Sequence, residues 1–316
     1  MPAPAIEFGG ARRADRGSYL DLVVRNLGPV DYLLGMEVRA PREMDRAFRG
    51  AGYAFLRFLG LLHRSPVTFF AARAGGKVVG TTIVLYLRES GYVAAVGTEA
   101  SHRKQGVATR LLDIAEGSIR RRHRPWAVLD VECENASAYR LYRARGYQIL
   151  QTVGWYRRKT SGPGQRSAIP GTVRPVTTRE ELKAATAWCT ANTPEKLRRV
   201  LPPPRGCLSG TELTSLPQWS ENATWIAGDG GGTRGYARAY RSGAGDPGFL
   251  FLPALSAGIP PSEVYGLTSS ALDWLARSST REIVAPVPDY LAPTVPALES
   301  NGFEKVLDTY TMARAL

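Results

Sequence analysis

Residues 103–108 read Arg-Lys-Gln-Gly-Val-Ala, a set of types and spacings suited to holding a phosphate. "YVAAVGT" (92–98), just upstream, alternates as a strand does. "GVATRLLDIAEGSIRRR" then spaces Val107, Leu111, Leu112, Ile114 and Ala115 as one face of a helix. A strand that feeds a helix through a glycine-bearing loop aims unpaired backbone N–H groups and the positive end of the helix dipole at one spot. Gly106 lets a ligand approach the backbone, Ala108 keeps the first turn small, and Arg103 and Lys104 add charge.

The elements that must position this loop follow from the neighbouring patterns. "VTFFAAR" (67–73) and "KVVGTTIVLYL" (77–87) flank an Ala-Gly-Gly turn and predict a hairpin. Pro125 closes the connection after the helix, and "WAVLDVE" (126–132) is a buried-type strand. "NASAYRLYRARGY" predicts a helix capped by Asn135 and stopped at Gly146. The order hairpin, strand, helix, strand, helix, strand implies an α/β (α+β) domain. Its sheet is mixed and mostly antiparallel, with helices flanking a parallel strand pair.

With both elements in place, the chain resembles the GCN5-related N-acetyltransferase (GNAT) family over residues 65–158. That family's pyrophosphate loop, Arg/Gln-x-x-Gly-x-Gly/Ala, is met by "RKQGVA". Its downstream pattern Asn-x-x-Ala-x-x-Leu-Tyr-x-x-x-Gly-Phe/Tyr is met at Asn135, Ala138, Leu141, Tyr142, Gly146 and Tyr147. The resemblance implies acetyl-CoA as co-substrate, no metal, and direct attack of a primary amine of a small molecule or peptide on the thioester. It implies cofactor contacts from Val96 and Thr98 on the strand and from Arg103, Lys104, Gln105 and Gly106 in the loop. Val107, Ala108 and Thr109 on the helix, and Asn135, Ala138 and Tyr142 after it, complete that set. Tyr142 would donate a proton to the departing thiolate. Three carboxylates lie near the opening between the parallel strands and compete for the role of base: Glu99, Asp130 and Glu132. A water chain is the alternative. His63, His102 and His123 are scattered, with no partner at ligand spacing. Residues 44–64 and "GWYRRK" (154–159) are expected to wall the acceptor cleft.

A second copy is legible. Setting Gly146 against Gly302, an offset of 156, aligns "RGYQILQTVGWYRR" with "NGFEKVLDTYTMAR" and "WAVLDV" with "EIVAPV". The expected organisation is a catalytic GNAT domain at 1–160, a Gly/Pro/Ser-rich linker at 161–171, and a degenerate GNAT-like domain at 172–316. In the second copy Leu298 falls on Tyr142 and Leu291 on Asn135. Its loop "LSAGIPPSEVYG" has no basic residue, and two prolines remove backbone donors.

Composition sets outer bounds. Of the net charge of +13, residues 1–160 supply +12, from 26 basic and 14 acidic residues. The excess points to an anionic ligand for the first half. "RRRHRPW" (120–126) is the only basic-aromatic cluster of the kind a nucleic-acid surface needs, and a solvated helix end explains it. Cys133, Cys189 and Cys207 are odd in number and widely spaced, which argues against a disulfide framework or zinc site and for the cytoplasm. No apolar run reaches the ~20 residues of a membrane span. The competing function class is a non-catalytic acyl-CoA-binding or regulatory protein, against which the retention of Tyr142 and Asn135 speaks. The oligomeric state has no sequence signal.

Overall fold

A computed structural model describes residues 5–34, 36, 66–160, 171–201, 221–229, 232–241, 247–277, 280 and 282–316. All but the last residue of the expected linker (161–171) and the whole expected acceptor wall at 44–64 lie outside the described residues. The chain forms two compact units, Met1–Ile149 with Thr311–Leu316, and Leu150–Tyr310.

The first unit contains β1 (Glu7–Gly10), α1 (Arg16–Arg25), α2 (Pro29–Leu33), β2 (Val67–Ala74), β3 (Lys77–Tyr86) and β4 (Ser90–Thr98). After these come α3 (Val107–Arg121), β5 (Trp126–Glu132) and α4 (Ala136–Ala144). β1 to β4 pair antiparallel in sequence order, and β4 pairs parallel with β5 from Ser90↔Trp126 to Tyr92↔Val128. These bounds match the strands and helices expected from the alternation and the caps. Two helices seal the sheet. Tyr19, Leu22 and Val23 of α1 pack on Ala71 and Val78, and α3 buries Val107, Leu111, Leu112, Ala115 and Ile119. Gly91 makes the second contact possible, since a Cβ there would stand 2.3 Å from the Ile119 side chain.

The second unit repeats the order. It comprises β6 (Gln148–Lys159, from Leu150 onward), β7 (Val173–Pro175), α5 (Arg179–Asn192), α6 (Glu195–Val200), β8 (Glu221–Asp229), β9 (Gly232–Arg241) and β10 (Gly248–Leu255). Then follow α7 (Pro261–Leu275), β11 (Glu282–Pro288), a 3-10 turn (Asp289–Thr294), α8 (Val295–Ser300) and β12 (Glu304–Ala315). At the offset of 156, β5 maps onto β11 and β6 onto β12 residue for residue, and α4 maps onto the 3-10 turn plus α8. Pro293 and Pro296 account for that break, because each removes a helix donor.

The units do not divide at the linker. β6, the last strand of the first copy, pairs with β11 from Val153↔Pro288 to Lys159↔Glu282 and belongs to the second unit. Residues 311–315 of β12, with Leu316, belong to the first. "GWYRRK" is therefore β11's partner in the second unit rather than part of the first copy's compact unit.

Candidate active site

The site grows from an irregularity in β4. Thr81 opposes Gly97 and Ile83 opposes Ala94, so Thr82 alone faces Ala95 and Val96, and Ala95 takes a left-handed φ of 50°. Such a bulge bends the strand and frees backbone groups from the ladder. Side chains recapture them: Thr81 donates to the Ala95 carbonyl at 3.0 Å, Thr82 to that of Ala94 at 3.3 Å, and the buried Tyr19 hydroxyl to that of Thr82 at 3.0 Å. Past Tyr92↔Val128 the β4–β5 ladder ends, while β4 runs on to Thr98 and β5 to Glu132. The two strands part there.

β4 delivers the chain to the phosphate-type loop. Glu99 caps a short 3-10 turn, Arg103 Nε donates to the Thr98 carbonyl at 3.3 Å, and the Gln105 amide donates to that of Ser101 at 3.0 Å. Lys104 (φ 60°) and Gly106 (φ 77°) are both left-handed, which turns the chain sharply into α3. Residues 103–106 are exposed, and a Cβ on Gly106 would meet nothing within 4 Å. The open N-terminus of a fifteen-residue helix thus faces solvent, with its first N–H groups lacking intrahelical acceptors. Val107 is buried beneath it.

α4 carries the next group. Asn135 accepts from the Ala138 N–H at 3.1 Å, the N-cap its type predicts. Tyr142, one face further along, is 6% exposed and lies 5.9 Å from the Tyr147 ring. Burial pushes its hydroxyl up to about 12, so it stays protonated at neutral pH. The C-terminal end of α4 is tied down by the buried Glu116 of α3. That carboxylate accepts from Arg145 at 3.0 Å, from the Tyr147 hydroxyl at 3.2 Å and from Arg314 at 2.7 Å.

The three carboxylates read from sequence occupy different surroundings. Glu99 is ion-paired to Arg25 at 2.9 Å and accepts from the Ala100 N–H. Glu132 accepts from the Val30 N–H at 2.9 Å, at the start of α2. Asp130 is different. Burial raises its carboxyl above the ordinary carboxylate range, and hydrogen bonds from Tyr92 and Thr311 pull it part of the way back. The Tyr92 hydroxyl donates to Oδ2 at 2.7 Å, whereas Oδ1 is out of solvent with no hydrogen-bond partner among the described residues.

Three members of this cluster escape a sequence reading. Tyr92 sits inside an ordinary alternating strand, and Thr311 lies far down the chain. Asp31, whose carboxyl burial also raises, accepts from the Gly28 N–H at 2.8 Å and caps α2. Its only trace is "GPVD", a proline at the first helical position with an acidic residue two further on. Among the described residues no three His, Cys, Asp or Glu side chains gather as a metal site would require, and no helix is long and apolar enough to cross a membrane.

The second unit offers a contrast at the matching places. α7 begins at Pro260–Pro261, and the buried Glu263 in its first turn is bridged by Arg234 Nε at 2.9 Å. A carboxylate of the chain itself thus stands at that helix start. Leu298 and Leu291 are core residues, 0% and 4% exposed.

Residues 35–147 match the family described as Acetyltransferase (GNAT). They are a GNAT-family domain. Across 70 residues the chain is 33% identical to N-alpha-acetyltransferase 30 of Saccharomyces cerevisiae, a match that covers 22% of this chain and 40% of the yeast protein. Two solved structures share the whole architecture. The GCN5-related N-acetyltransferase from Sphaerobacter thermophilus superposes with a TM-score of 0.64 at 15% identity, over 98% of this chain and 95% of that one. A tandem GNAT protein from the clavulanic acid biosynthesis pathway does so with a TM-score of 0.63 at 15% identity, over 98% of each chain. The fold is that of tandem GNAT proteins, each copy a mixed, mostly antiparallel sheet flanked by helices.

Proposed function

We propose that the first unit transfers an acetyl group from acetyl-CoA to a primary amine of a small molecule or peptide by direct attack, with no acyl-enzyme. The observation that carries this reading is the combination, within one unit, of an exposed N–H-rich loop, a protonated buried tyrosine and a desolvated carboxylate with one oxygen to spare. The loop at 103–108 fits a pyrophosphate: open space at Gly106, a helix dipole, and the charges of Arg103 and Lys104. Acetyl-CoA supplies an activated acyl group on a thiol leaving group. Val96 and Thr98 flank it on β4. Gln105, Val107, Ala108 and Thr109 complete the loop and first helical turn, and Asn135 and Ala138 sit at the start of α4.

Tyr142 is the proton donor for the departing thiolate, because its phenol carries its proton at neutral pH and burial favours that form further. Asp130 receives the amine's proton. A carboxyl raised by desolvation is a stronger base than a solvated one, and its Oδ1 is uncommitted. Glu99 and Glu132 are held by Arg25 and by α2, which suits them to shaping the opening. The likeness to an N-alpha-acetyltransferase makes a peptide α-amine the first acceptor to try.

The second unit we assign a non-catalytic role, since Glu263 and two prolines stand where a phosphate would need donors. Calorimetry with acetyl-CoA tests both assignments. One cofactor per chain, abolished by changes at 103–108, is expected, and two equal sites would overturn the division of labour. Turnover against a panel of peptides and small amines then identifies the acceptor.

A further inference from the structure

The geometry assigns to Thr311 the positioning of the Asp130 carboxylate, so that a residue from the second half of the sequence sets the proton acceptor of the first unit. The inference rests on the proposed role of Asp130. β12 is the neighbour of β5 in the sheet order. The Leu316 N–H donates to the Pro125 carbonyl at 2.9 Å, and the Thr311 side chain hydrogen-bonds Asp130. Residue numbers that rise on one strand as they fall on the other describe an antiparallel ladder, and in that register Thr311 stands directly opposite Asp130. Directly opposed residues share a face of the sheet, with Cβ atoms about 5 Å apart.

Thr311 is 2% exposed, and its branched Cβ leaves the hydroxyl few orientations. Asp130 therefore receives hydrogen bonds from both flanking strands, from Tyr92 of β4 at Oδ2 and from Thr311 of β12, while Oδ1 stays open. A hydrogen bond to the charged form favours that form, so the Thr311 hydroxyl also keeps Asp130 ionised at a lower pH than burial alone would allow.

The other titratable groups near this pair are Tyr92 on β4, Glu132 on β5, Asp31 on α2 and Tyr142 on α4. None of them changes in Thr311→Val, which removes the hydroxyl and keeps the branched shape. In that variant the acidic limb of the kcat/KM profile should move to higher pH and turnover at mildly acidic pH should fall several-fold. KM for acetyl-CoA and the thermal midpoint should hold. The Asp130 carboxyl, followed by carbon NMR, should titrate at higher pH than in the wild type, a readout that needs no acceptor. Thr311→Ser keeps the donor and should retain the wild-type profile.

An unmoved Asp130 titration in Thr311→Val overturns the assignment, as does a Thr311→Ser protein shifted as far as Thr311→Val. Undiminished turnover in Asp130→Asn would instead overturn the role of Asp130 and the catalytic meaning of Thr311 with it. An inactive Asp130→Asn beside a Thr311→Val enzyme with the wild-type profile would overturn Thr311 alone.

Discussion

At the scale of single residues, one oxygen atom distinguishes a proton donor from a packing ring at position 142. Tyr142→Phe keeps the contact with Tyr147 and the buried position, so cofactor affinity and thermal midpoint should stay close to wild type. Turnover should fall by roughly 10²-fold or more, the usual scale for a positioned general acid. Equal turnover, measured with a working acceptor, would make the hydroxyl dispensable. Asp130 allows a prediction of opposite character. Its folded-state carboxyl is raised, so ionisation at neutral pH costs the folded protein stability, a cost that disappears as pH falls below the unfolded value. Asp130→Asn should therefore be inactive yet at least as stable as wild type at pH 7. Thermal melts at several pH values should show its advantage shrinking as the solution is acidified. The residues of this site were unequally legible. Gly106, Asn135 and Tyr142 stand in short local patterns in which spacing alone declares a loop, a cap and a helix face. Asp31, Tyr92 and Thr311 become neighbours of Asp130 only through strand pairing and a helix laid across the sheet, and no local period records such pairings.

At the scale of elements, the proposed cofactor site is concentrated in the turn from β4 into α3. Gly106→Asp places a side chain and a negative charge in open space beside the helix N-terminus, on a residue with φ of 77°. Loss of a phosphate contact together with charge repulsion should cost at least ~2 kcal/mol of acetyl-CoA affinity by calorimetry. The fold should lose only about 1–2 kcal/mol, the price of a left-handed non-glycine residue. Unchanged affinity would place the phosphates elsewhere. The elements themselves were readable because β2 to β5, α3 and α4 each carry a complete local signature: alternation, a turn, a cap or a glycine stop. The bulge in β4 was not. It depends on Thr81, Thr82 and Tyr19 recapturing backbone carbonyls, and two of those residues look from sequence like ordinary strand threonines.

At the scale of the whole molecule, the second copy carries core leucines at the positions of the first copy's proposed site residues, and Leu298 is the clearest case. Leu298→Ala should open a cavity and cost about 2–5 kcal/mol, while turnover per folded molecule stays near wild type. Denaturant melts and active-site titration read the two effects separately. A stable but inactive Leu298→Ala protein would move the chemistry to the second unit. The offset of 156 already located both last strands from sequence. Which unit their residues join was hidden because β6 and β12 have equivalent patterns.

The division into units also sets an order of events during synthesis. Residues 1–149 leave the ribosome first, yet their unit includes residues 311–316, so the half begun earliest is completed latest. At about 5–20 residues per second the gap between those segments amounts to about 8–30 s, during which β5 presents an unpaired edge. A message cut short after the first copy would carry every residue of the cofactor loop and Tyr142, but not Thr311. The first unit would then be completed only once residues 311–316 have emerged, about 160 residues after the rest of it.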